Sequence, residues 1–236
     1  TYMKNKKTSV KLKKSIRAFT LAEVLITIGI IGIIAALTIP NLMGLYRKKV
    51  VETRLKKFYS AINQAILLSE NVNGDKKSWI LKGMSTDEFW NIYLEPYLNY
   101  TNVKDNKQDK TIYFEDGSAV IIDIYFAQNT NGDVTWQSAG GHFQFCPEAK
   151  YCDTKTPNRK TGVNIFTFAF WPNQEGGSFD YHKGKGVEPY MAWWDGKEES
   201  LYKNASFGCS NGNGFYCVAI IQHNGWKIPD DYPKKL

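Results

Sequence analysis

Between Phe19 and Ile39 the chain runs for 21 residues with a single charge, Glu23. As a helix this stretch covers roughly 30 Å, the depth of the hydrocarbon core of a bilayer. Such a run has few folded alternatives: it lies in a membrane or is buried among other apolar helices. A carboxylate in that setting is costly and is kept where it has a partner, so Glu23 calls for a positive group close by.

The surrounding charges predict an orientation. The 236 residues carry a formal charge of +7 and a pI near 9.0, yet Lys4, Lys6, Lys7, Lys11, Lys13, Lys14 and Arg17 all lie in the first 18 residues, with no acid among them. The remaining 23 basic residues equal the 23 acidic ones, so the rest of the chain is formally neutral and nucleic-acid binding does not explain the pI. Basic residues flanking a membrane segment stay in the cytoplasm, which predicts that everything after Pro40 lies outside it. Thr1 precedes Met3, so either Met3 is the natural start or the chain is part of a longer one.

A secretory signal peptide would have a shorter apolar core followed by a small-residue cleavage site. Here the apolar run passes instead into a second helical pattern. Val51, Leu55, Phe58, Ile62, Ala65 and Ile66 recur at three- and four-residue steps, with Arg47, Lys48, Lys49, Glu52, Lys56 and Lys57 mostly between them. Pro40 is expected to kink the helix, because it lacks a backbone N–H.

Beyond Asn71 the pattern changes. Thr86 to Leu98 reads as a short helix capped by Thr86, with Phe89, Trp90 and Tyr93 inward and Pro96 near its end. Asp116-Gly117 and Asn131-Gly132, set between runs rich in Ile, Val, Tyr and Phe, predict two-residue type I′ hairpin turns. Asn164 to Trp171 reads as a strand stopped by Pro172, Tyr190 to Tyr202 as a hairpin about Asp195-Gly196, and Cys217 onward as a last short strand with a polar tail. One long helix followed by a mostly antiparallel sheet makes an α+β fold.

Cys146, Cys152, Cys209 and Cys217 form two close sequence pairs, and four cysteines allow three pairings. Their spacings are not those of zinc ligands, and His142, His182 and His223 are scattered, so disulfides in an oxidising compartment are expected. No histidine has a catalytic signature around it, and Asp230-Asp231 is no acid/base pair, so an enzyme is not expected. Trp171, Trp193 and Trp194 are candidates for stacking on sugar rings or bases, or for core packing.

Arg17-Ala18-Phe19-Thr20-Leu21-x-Glu23-x-Leu25, followed by an apolar helix with Gly29, Gly32 and Pro40, resembles the N-terminal signal of type IV prepilins and type II secretion pseudopilins. The resemblance implies that a membrane-embedded prepilin peptidase cuts between Ala18 and Phe19 and methylates the Phe19 amine. It further implies assembly with other pilin-like subunits on an inner-membrane platform, with Glu23 neutralising the Phe19 amine of a neighbour. The expected division is a cleaved leader over 1–18, a membrane and assembly helix over 19–40, its amphipathic continuation over 41–71 and a globular domain outside the cytoplasm over 72–236.

Pro157, Asn158, Gly162, Asn164, Phe166 and Phe168 resemble the P-N-x-x-G-x-D-x-F segment that precedes a sheet strand in major pseudopilin-like proteins, some of which bind calcium nearby. Asn164 stands where an Asp is common, and Asn129, Asn131 and Asp133 offer only one acid, so no cofactor is expected, with calcium left open. The loop Cys209 to Cys217 is similar to the disulfide-bounded C-terminal region of many pilins. The expected function is a structural subunit of a type II secretion pseudopilus or a type IV pilus. A membrane-tethered adhesin or DNA-uptake minor pilin using exposed aromatics is the alternative.

Overall fold

Helix α1, Leu21–Asn73, carries two sequence patterns on one continuous helix, and between them, after Gly44, the chain divides into two units. The computed structural model describes residues 19–80, 84–125, 139–173 and 177–236. The leader with Ala18, and Asn129, Asn131, Gly132 and Asp133 with the hairpin turn expected there, lie outside those residues.

In the first unit no described side chain from Phe19 to Ile39 is buried. The hydroxyls of Thr27 and Thr38 donate to the carbonyls of Val24 and Ile34 at 2.8 and 2.9 Å, so the helix satisfies its own polar groups, as a helix in an apolar medium must. The helical run continues through Pro40.

In the second unit, from Leu45, the helix becomes one-sided. Val51, Leu55, Phe58, Ile62, Ala65 and Ile66 are buried, the spacing read from the sequence. They pack on a six-stranded antiparallel sheet whose strands follow chain order: β1 Asn102–Asp105, β2 Lys110–Tyr113, β3 Ala119–Tyr125, β4 Gly140–Cys146, β5 Phe166–Phe170 and β6 Glu188–Pro189. The register places Phe143 opposite both Ile122 and Phe168. All five residues of β5 are buried, because both sheet faces are covered there. Phe166, Phe168 and Phe170 join the α1 side, while Ala169 joins a second core with Trp171, Tyr190, Leu201, Tyr216 and Ile220.

Local departures from the sequence reading have identifiable causes. Helix α2, Thr86–Phe89, is capped by Ser85, not Thr86: the Ser85 hydroxyl accepts the Glu88 N–H at 3.1 Å and Glu88 accepts the Ser85 N–H at 2.8 Å. Thr86 sits one step inside, buried, donating to the Gln108 carbonyl at 2.9 Å. A π turn, Trp90–Leu94, and a 3₁₀ turn, Glu95–Tyr97, continue α2, with Pro96 in the last. The β2–β3 turn has three loop residues, with Gly117 at φ 80 donating to Phe114, instead of a two-residue type I′ turn.

No hairpin forms about Asp195-Gly196. Asp195 accepts the Lys197 N–H at 3.0 Å and the Ser200 hydroxyl at 2.9 Å, and leads into helix α3, Glu198–Lys203. The expected last strand is helix α4, Cys217–His223. Its β-branched run lies between the two cores, and Val218 and Ile221, three apart, join one while Ala219 and Ile220 join the other, which is helical and not strand spacing.

Phe58→Ala is expected to destabilise the second unit by about 3–5 kcal/mol, whereas Leu67→Ala, at a residue 63% exposed, changes stability by no more than about 0.5 kcal/mol. Urea unfolding of the full chain in detergent, followed by tryptophan fluorescence, reads both.

Candidate functional site

The head of α1 is built by two residues three apart. Thr20 precedes the first helical residue, where backbone N–H groups have no partner within the helix. The Thr20 hydroxyl accepts the Glu23 N–H at 3.2 Å, and Glu23 Oε2 accepts the Thr20 N–H and hydroxyl, both at 2.8 Å. The arrangement is a capping box, and the carboxylate favours the positive end of its own helix. Sequence reasoning passes over Thr20, although Thr-x-x-Glu is the signal for this motif. Phe19, one residue further out, is 85% exposed.

The three tryptophans separate. Trp171 is buried and stacks on Phe179 with ring centres 3.8 Å apart. Trp194 is half-buried, its indole N–H donating to the Lys197 carbonyl at 3.0 Å and its ring meeting Tyr181 edge-on. Trp193 is 65% exposed and adopts φ 57, a left-handed conformation that costs a bulky residue on the order of 1 kcal/mol or more. Its N–H donates to the Ser178 carbonyl at 2.6 Å. The two indoles, Tyr181, Met191, Ser178 and Asp180 line a shallow cavity of about 180 Å³.

Structure joins Cys146 to Cys152 and Cys209 to Cys217. The second bridge closes the turn at the start of α4 and packs in the core with Tyr216. Three residues, Arg159 to Thr161, separate Asn158 from Gly162, one more than the pseudopilin-like segment has. Asn164 braces that loop, accepting the Lys160 N–H at 2.7 Å and donating to the Asn158 carbonyl at 3.0 Å. Among the described residues no three His, Cys, Asp or Glu side chains converge to hold a metal.

Two of the histidines are shielded from solvent, His182 fully buried and His142 partly so. His142 lies among the rings of Trp171, Phe179 and Tyr190, and His182 accepts the Met191 N–H on Nε2 at 3.2 Å. Burial pushes both down, His142 to about 4 and His182 to about 3, so both are neutral in the folded chain. His223 is exposed, 3.6 Å from Glu198.

Acid is therefore expected to unfold this unit. An unfolded histidine binds a proton below about pH 6.5, and the folded pair only below about 4 and about 3. Their contribution is full above pH 6.5 and is lost as pH falls toward 4, on the order of 3 kcal/mol for each. Denaturant midpoints between pH 7 and pH 4 measure the slope. His142→Phe, which keeps a ring in place, is expected to reduce it by roughly half, and an unchanged slope would remove the assignment.

Residues 41–236 match a family described as a family of unknown function (DUF6613), and residues 13–39 match the prokaryotic N-terminal methylation motif. No curated protein and no solved structure matches the chain. The first match covers all of the second structural unit, and the second runs from Lys13, near the end of the basic leader, through Glu23 and the apolar helix up to Ile39. The chain belongs to the DUF6613 family and is headed by a prepilin-type N-terminal methylation signal.

Proposed function

We propose that the chain is a structural subunit of a pilus-like filament, a type II secretion pseudopilus in the first place and a type IV pilus in the second. The observation that carries this reading is the methylation motif at the head of a helix whose apolar side chains are unburied among the described residues up to Ile39. Before assembly a bilayer would hold the span 19–40, with the domain over 72–236 outside the cytoplasm. In the filament, neighbouring copies of the same helix would replace the lipid. Peptidase cleavage between Ala18 and Phe19 would leave a methylated ammonium on Phe19, one residue before the capping box.

Thr20 holds the Glu23 carboxylate toward that end of the helix, and both of its side-chain-accepted bonds fall on Oε2. A neighbouring Phe19 ammonium would thus meet a carboxylate already oriented. An ammonium desolvated without that partner costs several kcal/mol, so assembly would proceed only in the axial register that supplies one.

Glu23→Gln separates the two roles of the residue, because glutamine retains the capping box and loses the charge. Mature Glu23→Gln is expected to begin at methylated Phe19 by mass spectrometry, to stay in the membrane, and to give at least about tenfold fewer sheared filaments. Wild-type yield would reduce Glu23 to a helix cap, and a chain beginning after the apolar run would remove the pilin reading.

A second reading, adhesion through the Trp193 shelf, is favoured by one observation: a tryptophan 65% exposed in a left-handed conformation. Trp193→Gly is expected to raise stability by about 1 kcal/mol while abolishing retention on immobilised polysaccharide. Stabilisation with retention unchanged would leave the shelf without a binding role.

A further inference from the structure

Where the second half of α1 meets the segment after α4, a cavity of about 360 Å³ has four lysines in its walls. Lys49, Thr53, Lys56 and Ser60 stand at steps of four, three and four along α1, so ammonium and hydroxyl groups alternate up one face. Trp226 and Lys227 form the facing wall. Gly225 and Trp226 both adopt φ 64, and the Trp226 ring lies 4.8 Å from Tyr59, which fixes that wall against the helix.

Two carboxylates answer the four ammonium groups. Buried Glu52 accepts Lys227 Nζ at 3.3 Å and the Ile228 N–H at 3.0 Å, and Asp116 pairs with Lys57 at 3.1 Å. Lys49 faces Lys227, and the hydrogen bond and charge of that amine hold it below the usual lysine range, with Glu52 acting in the other direction. A concave site with surplus positive charge, hydroxyl donors and an indole at its rim suits a phosphate ester.

Chain position and charge decide which phosphate. Ten residues lead from Ile39 to Lys49, and even fully extended they reach no further than about 35 Å. The chain therefore keeps this cavity near any membrane that holds the apolar run. Arg47, Lys48 and Lys49 stand on the side of the span where flanking basic residues are disfavoured, so their presence there calls for a reason. A long polyanion is poorly matched, because beyond the first 18 residues 23 basic residues balance 23 acidic ones and the field away from the groove is weak.

We propose that the groove between Lys49–Ser60 of α1 and Trp226–Lys227 binds the phosphate headgroup of an anionic phospholipid. The inference rests on the membrane-spanning part of the function proposed above, and on neither the cleavage nor the role of Glu23.

Lysine acylation mapped by mass spectrometry tests it on the full chain in detergent micelles. Phosphatidylglycerol, phosphatidylcholine, inorganic phosphate or a short DNA duplex is added at equal phosphate concentration. Phosphatidylglycerol alone is expected to slow acylation of Lys49, Lys56 and Lys227 by at least about threefold, with exposed Lys104 unaffected. The double variant Lys49→Gln/Lys227→Gln is expected to lose the protection of Lys56, whereas Lys104→Gln keeps it. Equal rates with the two lipids overturn the proposal, as does protection by DNA or by inorganic phosphate as strong as that by phosphatidylglycerol. Micelles hold the chain whether or not the apolar run spans a bilayer, so a failed span is read separately, as chain extracted from membranes by alkaline carbonate.

Discussion

Phe58 lies where α1 meets the sheet, its ring 4.6 Å from that of Phe145 on β4 and 5.2 Å from that of Phe168 on β5. Much of the second unit depends on that contact. Once the helix is seated on β4 and β5, neighbouring side chains reach the sheet at several points. Arg54 donates to the Pro147 carbonyl just past β4, Lys57 pairs with Asp116 in the β2–β3 turn, and Tyr59 donates to Glu188 on β6 at 2.9 Å. Asn63, one turn on, donates to the Val187 carbonyl at 2.8 Å. The polar contacts are individually modest, and it is the buried aromatic face that makes them simultaneous.

The same helix meets two environments along its length. Up to Ile39 its side chains, Glu23, Thr27 and Thr38 apart, are apolar on every side and none that is described is buried, which suits a medium of lipid or of like helices. From Val51 the apolar positions narrow to one stripe, because a sheet offers only one face to pack against. The methylation motif ends with the first pattern, at Ile39, and the DUF6613 match takes in the second. A prepilin-type signal helix is thus joined to a domain of a different family.

The surface of that domain has two features of different origin. The Trp193 shelf rests on a strained backbone, held by a hydrogen bond to Ser178 and by the neighbouring ring of Trp194 against Tyr181. The lysine groove rests on periodicity, because four positions of one helix face alternate charge and hydroxyl opposite Lys227. Strain is visible only in the folded chain, whereas the spacing of Lys49, Thr53, Lys56 and Ser60 lies open in the sequence, with its facing wall 166 to 178 positions away.

What the sequence determined by itself is whatever depends on local periodicity. The apolar span, the stripe from Val51 to Ile66, the capping boxes Thr20-x-x-Glu23 and Ser85-x-x-Glu88, and the alternation of Phe166, Phe168 and Phe170 all follow from neighbours within a turn or two of the chain. Tertiary structure decided the rest. Val218 to Ile221 would suit a strand, yet Val218 and Ile221, three apart, share one core while Ala219 and Ile220 share the other, a spacing that fits a helix and not the alternation of a strand. Asp195-Gly196 would suit a hairpin, yet Asp195 is drawn into the turn before α3 by Lys197 and Ser200. The shielding of His142 and His182 likewise depends on which segments fold against one another, an outcome that no local pattern encodes, whereas the cysteines join near neighbours in the chain.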